Sequence, residues 1–568
     1  MRQKPATLRL FETSPLALLT LAILTFGPLL RADEPTLSTG YSDYRQLIDL
    51  LRGSDSVVPP QSTVHPVSAM FNREAIVPPQ CYTKTQGQYN PCYVCHQESI
   101  NGRENVMNDG DIQIDYSFSD LGQVNRWENL QQDRTDRIDA ISDERIIAYI
   151  NENNYSELAP RLHAANFKGW IPDLKDLDLG PDAFDNEGFA KDGSFWVAFN
   201  YKPFPSSFWP TNGATDDVMI RLPIPFRSDQ SANPSPEIYK ANLAILEANM
   251  KGLLEISSLP IDEKKIGIDL DRDGAFSEIT YIRKVDSFVG GASDIPIETH
   301  IFPEGTEFLH TVRYLGIGDN QDIVVSRRMK EVRYMKKWKT YSKAIYARNY
   351  QLEGFEKESG FLPGYMNLGD WGLDNGFGWS IQGFIEDRQG RLRANTFEEN
   401  FFCMGCHSSI GSTIDKTFSF VRKVEGANGW GYINLNEIPD APTLGESKGE
   451  YQTYLERVGG GSEFRNNPEM QQRWFRSDGS LDHEKVSAAN SIYELIVPSI
   501  ERALSLNKAY KTIVEDQDYI FGRDPTVTPP ENVYDRVDNV QTPTLPVEKT
   551  YKWNILLDWR TASDSSDS

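Results

Sequence analysis

The sequence predicts a protein of the α+β class, with helical and irregular regions on either side of a β-containing insertion. Three observations predict this arrangement. A helical hydrophobic period runs from Ser235 to Gly252, and strand-like alternation occurs in residues 308–314 and 323–326. The five-residue pattern C-x-x-C-H occurs twice, with its copies 311 residues apart. Because the strand-like segments lie between the two copies, we expect the β structure in the insertion that separates them.

The two copies of the pattern carry the chemistry. C-x-x-C-H is the attachment site of a covalently bound haem c, because two thiols reach the two vinyl groups of one macrocycle and the next histidine binds the iron. A zinc site made from two C-x-x-C pairs is the alternative, but zinc does not require a histidine directly after each pair. The sequence therefore predicts two haem c groups, held by Cys92, Cys95, His96, Cys403, Cys406 and His407. The fifth cysteine, Cys81, is expected to be a buried, inert thiol.

The second axial position of each iron decides whether the iron transfers electrons or binds a small reactive ligand. Five histidines lie outside the two motifs. We expect His310, in an apolar and strand-like segment, to be a distal ligand, with His300 as the second choice. A lone histidine in such a setting is also common as a plain core residue. Met470 lies 63 residues after His407, but its polar neighbours favour a surface position.

An acidic turn in the insertion resembles the first half of a calcium loop of the EF-hand type. Asp269, Asp271 and Asp273 alternate before Gly274, so their side chains can converge on one cation while the glycine permits the bend. The twelfth position of the loop holds Thr280 instead of the usual glutamate. A calcium ion and a plain aspartate-rich turn between two β-like arms, residues 266–268 and 279–282, are therefore both open.

The two haem motifs place the chain among the c-type cytochromes. Residues 307–315 and 402–411 also resemble those of large, exported di-haem cytochromes of Gram-negative bacteria, which have no assigned activity. This resemblance would span most of the chain, and it implies helical and irregular haem regions like those of cytochrome c. The nearest enzymes by architecture are the di-haem cytochrome c peroxidases and the latex-cleaving di-haem oxygenases. Their motifs lie closer together, so no catalytic residue is carried over.

The start of the chain reads as a secretory signal peptide. Basic residues precede an apolar run from Pro15 to Leu30, and Ala32 offers a small residue before the cleavage point. The run is short for a membrane span, so we expect cleavage rather than an integral membrane protein. No cysteine lies near the cut, so we expect no lipid anchor and a periplasmic or extracellular location.

Changes in composition divide the chain into five parts. The predicted parts are a signal peptide (1–32), an N-terminal region with the first haem site (33–230), a helix and β-containing insertion (231–350), a C-terminal region with the second haem site (351–523) and an extended, partly disordered tail (524–568).

The formal net charge of −24 argues against a nucleic-acid partner and favours attraction to a basic redox protein, although it also favours solubility. The sequence thus predicts an exported di-haem c-type cytochrome that transfers single electrons between its haems and a redox partner. The alternative is a di-haem oxidoreductase of the peroxidase or oxygenase type with one open iron. The large insertion favours that alternative, because a simple electron carrier needs only one domain of about a hundred residues.

Overall fold

An antiparallel sheet of eight strands is the centre of the fold in this computed structural model. Within the described residues, the strands are β1 Val197–Ala198, β2 Thr215–Arg221, β3 Glu255–Asp262, β4 Glu278–Arg283, β5 Glu307–Ile317, β6 Ile323–Lys337, β7 Met366–Asn367, β8 Leu373–Asp374, β9 Trp379–Glu386 and β10 Leu392–Ala394. The spatial order in the large sheet is β1, β2, β5, β6, β9, β8 and β7, and β10 pairs with β9. β3 and β4 form a separate two-stranded sheet.

The structure describes residues 74–83, 91–98, 118–119, 121–206, 209–359, 361–459, 467–537 and 554–560. The predicted signal peptide and the end of the predicted tail lie outside these residues. All the described residues belong to one compact unit that spans residues 57–568.

The helices surround the sheet and are mostly short. In the described part of the chain they are α1 Cys92–Cys95, α2 Thr135–Asp139, α3 Asp143–Ile150, α4 Leu158–Ala164, α5 Pro236–Lys251, α6 Glu263–Ile266, α7 Lys343–Glu358, α8 Phe397–Met404, α9 Ser419–Arg422, α10 Glu450–Val458, α11 Pro468–Trp474, α12 His483–Ser487, α13 Ile492–Ile496 and α14 Ile500–Asp516. None of the described helices is long and apolar enough to cross a membrane.

The predicted α+β class is confirmed. Every strand named above lies between the two C-x-x-C-H sequences, as expected for a β-containing insertion. The helix expected between Ser235 and Gly252 is α5, because the Ser235 side chain accepts a hydrogen bond from the N–H of Ile238 and Gly252 ends the helix at φ +69°. The predicted domain boundaries at 230 and 350 fall between strands that pair in the one large sheet.

The segment before the acidic turn differs from its prediction. We expected a β-like arm at residues 266–268, but these residues follow the short helix α6, and β3 ends at Asp262. The Asp262 side chain caps α6 by accepting a hydrogen bond from Lys264 N–H, and Gly267 ends the helix at φ +75°. Local capping therefore overrides the β propensity of the isoleucines on either side of Gly267.

The register of the sheet sorts its side chains onto two faces. Val218, His310, Arg333 and Gly383 form one row across β2, β5, β6 and β9. Since side chains alternate along a strand, residues two positions away on each strand share the face of this row. The same face therefore carries Asp216 on β2, diagonal to His310, and it forms one wall of the cavity described below.

Candidate functional site

The second C-x-x-C-H sequence lies at the end of helix α8. This helix begins with a reciprocal cap, in which Glu399 N–H donates to the Thr396 hydroxyl and Thr396 N–H donates to the Glu399 carboxylate. After the helix, the N–H groups of Cys406 and His407 both donate to the carbonyl of Cys403, at 3.3 and 3.1 Å. One tight turn therefore holds both thiols and the imidazole close together.

A large cavity opens next to this turn. It contains about 1060 Å³ of space that protein atoms do not fill, part of it open to solvent. Its lining is mainly aromatic and aliphatic, with a few charged groups: Phe199, Tyr201, Phe204, Asp216, Val218, Phe308, His310, Arg333, Tyr334, Met335, Ile381, Phe402, Cys403, Cys406, His407, Phe418, Ser419 and Arg422. A mainly apolar cavity with two thiols and a histidine at one wall fits a covalently held haem in its donor set and in the character of its lining.

His407 is prepared for binding a metal. Its Nδ1 lies 2.9 Å from the carbonyl oxygen of Lys416, so Nδ1 carries the proton and donates, and Nε2 keeps its lone pair. Burial, with smaller effects of the Arg333 and His310 charges, lowers the pKa of His407 to about 4. The imidazole is therefore neutral at neutral pH, which is the form that ligates iron.

A tight turn places the Lys416 carbonyl for this contact. Asp415 and Lys416 both have left-handed backbone conformations, at φ +50° and +62°, and Ile414 and Thr417 on either side exchange two backbone hydrogen bonds of 3.0 Å. Such turns favour glycine or asparagine, so the pair Asp-Lys is strained there. Lys337 holds the turn, because its Nζ lies 2.7 and 2.9 Å from the two Asp415 carboxylate oxygens and both side chains are fully buried.

The sheet wall of the cavity brings together polar groups that the sequence left far apart. His310 Nε2 lies 3.3 Å from an oxygen of Asp216, which also accepts a hydrogen bond from the Tyr201 hydroxyl. Arg333 is the cross-strand neighbour of His310. The structure therefore places His310 in the same cavity as His407. The sequence carried no signal for Asp216 or Arg333, since only the register of the sheet pairs them with His310.

His300 lies elsewhere. It is buried in a separate, smaller cavity between α5 and the β3–β4 sheet, and none of the described lining residues of that cavity belongs to a C-x-x-C-H sequence. The structure thus does not bring His300 together with the motif residues. Its position separates it from His310, the other predicted distal ligand.

The first C-x-x-C-H sequence forms the same turn as the second. His96 N–H donates to the carbonyl of Cys92 at 2.9 Å, so α1 also gathers its two thiols and its imidazole. The segment just after the second sequence contacts the first, since the Ser412 N–H donates to the Cys95 carbonyl at 3.0 Å. Residues 84–90 and 99–117, which flank the first sequence, lie outside the described residues, so its surroundings are described only in part.

Met470 does not lie at the surface, as its polar neighbours had suggested. It is fully buried, in a cluster that also contains Tyr93 and Val94 of the first motif. The reason is that helix α11 buries Met470 together with Trp474, one turn later, while its intervening polar residues face outward.

Cys81 lies close to both motifs. The segment that leads into Cys81 packs against the second motif. A Cβ atom added at Gly405 would lie only 2.2 Å from the carbonyl oxygen of Ile76. Burial raises the pKa of the Cys81 thiol well above its usual value, and the nearby thiols of Cys92 and Cys406 add to this effect. Cys81 is half-buried and not fully buried as predicted, whereas its raised pKa is what we expect of an inert thiol.

The acidic turn gathers a different set of carboxylates from the predicted one. The ligand atoms of Glu263, Asp269 and Asp271 lie within 4.8 Å of one another, whereas Asp273 is not in this group. The Asp273 carboxylate instead accepts a hydrogen bond from Ala275 N–H at 2.7 Å. Glu263 was missed because it lies in α6, before the alternating pattern begins. Burial, together with the neighbouring carboxylates, raises the pKa of Asp271.

Comparison with known proteins assigns the family. A family model described as "-like lipoprotein" matches residues 64–494. An "Uncharacterized lipoprotein" of Aquifex aeolicus (strain VF5) is 33% identical over 518 residues, which cover 80% of this chain and 86% of that protein. The chain belongs to this lipoprotein family. No solved structure matches it. Because lipoproteins are exported, the predicted export is confirmed.

The family predicted from the sequence is wrong. We expected a family of di-haem c-type cytochromes, but the match over residues 64–494 is to a lipoprotein family. Neither description names a cytochrome, a haem or an electron-transfer activity, so the description of the chain as a cytochrome is corrected too. What the two C-x-x-C-H sequences bind is a separate question, because it depends on the chemistry of those residues.

Proposed function

We propose that this lipoprotein-family protein carries one covalently attached haem at each C-x-x-C-H sequence and transfers single electrons between these groups and a redox partner. The observation that carries the proposal is the cavity of about 1060 Å³ beside Cys403, Cys406 and His407. In such a cavity a haem iron supplies one-electron chemistry. The chain supplies the attachment, a neutral histidine ligand and an apolar environment.

The packing of the two sites against each other supports transfer from one site to the other. The hydrogen bond from Ser412, five residues after His407, to the Cys95 carbonyl joins the first sequence to the segment that follows the second. Phe418 packs against the cluster that holds the first motif, and its ring lies 5.7 Å from the His407 ring in an edge-to-face arrangement. The two attachment sites therefore belong to one packed unit, which favours exchange between them over two independent functions.

Attachment is tested by mass. Replacing both Cys403 and Cys406 with Ala should leave one haem fewer in the denatured protein, and the Cys92→Ala, Cys95→Ala variant should do the same. The matched control is Cys81→Ala, which removes a neighbouring thiol outside the motifs and should retain two. The proposal fails if the parent protein, produced in a host that attaches haem c, carries none. Two intact groups in the Cys403→Ala, Cys406→Ala variant would also contradict it.

A second candidate function is the reduction of a peroxide at the second site. His310, Asp216 and Arg333 favour it, because a base, its carboxylate partner and a cation on one wall can exchange protons with a bound peroxide and stabilise its negative charge. The reaction would convert hydrogen peroxide, two protons and two electrons from a one-electron donor protein into two waters. Spin state separates the candidates: two low-spin irons in the oxidised protein favour electron transfer, and a major high-spin signal favours the peroxidase.

The place of action and the partner follow from export and charge. We propose that the mature protein works in the periplasm or outside the cell, and that a basic redox protein is its partner, because the chain carries a formal charge of −24. Detergent phase partition of the protein from its native host tests the location, since a lipid-anchored form enters the detergent phase. An electrostatic partner should bind more weakly as salt is raised.

A further inference from the structure

A second cavity adjoins the first at Cys406, Phe402 and Arg333. It contains about 760 Å³ of space that protein atoms do not fill, part of it open to solvent, and eight stretches of the chain line it. Three cationic side chains line it, namely Lys330, Arg333 and Arg523. The carboxylates of Glu331 and Asp524 also line it, so these five groups have a formal charge of +1.

The buried carboxylate is already shared by two guanidinium groups. One oxygen of Glu331 accepts hydrogen bonds from Arg523 Nη1 at 2.8 Å and from Arg333 Nε at 2.9 Å. Although burial opposes its ionisation, these two cations lower the pKa of Glu331 to about 2. A single carboxylate therefore serves two of the three cationic side chains that line the cavity.

Two buried donors in the cavity make no hydrogen bond to any described residue. They are the hydroxyl of Tyr510, a residue that is 1% exposed, and the Nε of Arg523, which is 6% exposed. Buried polar groups almost always have partners, so a pair of such groups in one cavity calls for an explanation. The Arg523 Nε–H can only donate, and the Tyr510 hydroxyl can donate as well as accept, so a single acceptor satisfies both groups.

The side chains that carry these donors are held in place. The Lys330 ammonium lies 4.2 Å from the centre of the Tyr510 ring, a cation–π contact. Arg523 is fixed by Glu331 and by the carbonyl of Glu399, which accepts from its Nη2. The donors are therefore preorganised, and ligand binding does not have to order them.

We infer that this cavity binds a carboxylate or another small oxyanion. The anion accepts hydrogen bonds from Tyr510 Oη and Arg523 Nε, and Lys330 and Arg333 balance its charge. A carboxylate has two sources here: a free anion from solution, or a propionate side chain of the haem proposed at Cys403 and Cys406. The free-anion site does not depend on that haem. If only water fills the cavity, the site is structural and binds no anion.

Acetate and inorganic phosphate are the probes, titrated by calorimetry and by thermal midpoint at constant ionic strength with chloride as the reference salt. For a free anion, the parent protein binds acetate or phosphate and its midpoint rises. Tyr510→Phe keeps the ring but removes the hydroxyl, so its affinity should fall about tenfold or more, as expected for a hydrogen bond to a charged group. The matched control is Tyr519→Phe, because the Tyr519 hydroxyl is equally buried but donates to the Glu386 carbonyl outside the cavity.

The Cys403→Ser, Cys406→Ser variant separates the two sources. If a resident propionate is the anion, the parent does not bind acetate and this variant does. If that variant does not fold, the reduction potential of the second site is compared in the parent, Tyr510→Phe and Tyr519→Phe. A resident propionate predicts a shifted potential in Tyr510→Phe and an unchanged one in Tyr519→Phe. Absence of binding together with unchanged potentials overturns the inference, and so does acetate affinity that is equal in the parent and in Tyr510→Phe. Haem content, measured by mass on the same samples, reports separately on the proposed function.

Discussion

Removing the Asp415 carboxylate is expected to destabilise the protein by about 3–5 kcal/mol, because it leaves the Lys337 ammonium buried without its counter-charge. The two side chains are 0% exposed, and Lys337 Nζ contacts both carboxylate oxygens. The carboxylate also accepts a hydrogen bond from Phe302 N–H at 3.0 Å. In Asp415→Ala, Lys337 Nζ keeps the Phe377 carbonyl as an acceptor, at 3.1 Å.

The loss of stability in Asp415→Ala is limited because Lys337 can release its proton. Burial lowers the pKa of Lys337, and Asp415 works against that shift. Without Asp415 the pKa should fall further, so the lysine sheds its proton instead of remaining charged. The penalty should therefore grow as pH falls, since the lysine is protonated in the unfolded chain and has to release that proton on folding.

Urea unfolding at pH 7 measures the effect. The matched control is the double variant Lys337→Met, Asp415→Leu, which removes both charges and should lie close to the parent or above it in stability. Because the pair holds the turn that presents the Lys416 carbonyl to His407, Asp415→Ala should also lower haem occupancy at the second site while the double variant partly restores it. A loss of stability below about 1 kcal/mol in Asp415→Ala, with the same loss in the double variant, would contradict the reasoning. A loss of that magnitude is what removing a solvent-exposed ion pair produces.

Three further outcomes are expected. In a protein that carries haem, His310→Ala should convert one low-spin iron to high-spin and raise its reduction potential, whereas an unchanged spectrum would mean that His310 is only a packed wall residue. Chelation of calcium should lower the thermal midpoint of the parent and of Asp273→Ala, but not of Asp271→Ala; equal midpoints with and without chelator in the parent would argue against an ion at the turn. The pKa of Glu331 is about 2 in the folded protein against 4.5 in the unfolded chain. The ionised carboxylate therefore adds about 3 kcal/mol to the free energy of unfolding above pH 4.5, and this contribution is lost as the pH falls through 2. Glu331→Gln should therefore be less stable than the parent at pH 7, with the gap narrowing toward pH 2, as followed by urea unfolding; a gap independent of pH would refute it.

The features that the sequence predicted well depend on neighbouring residues. The caps at Ser235 and Gly252 fix the two ends of α5, because each capping hydrogen bond is made within one turn of the helix end. The two C-x-x-C-H sequences form the same turn for the same reason, although the family inferred from them was wrong. A motif of five residues reports on local chemistry, whereas the match that assigns the lipoprotein family covers residues 64–494.

The sequence by itself therefore determined the α+β class and the residues of the two motifs. Only the tertiary structure decided what surrounds them. The register of β5 and β6 set Arg333 beside His310, a tight turn delivered the Lys416 carbonyl to His407, and Glu263 joined Asp269 and Asp271 from outside the acidic pattern. These contacts join residues that are distant in sequence or that belong to different elements. Their formation depends on strand pairing and packing across the whole chain, which no local spacing of residues encodes.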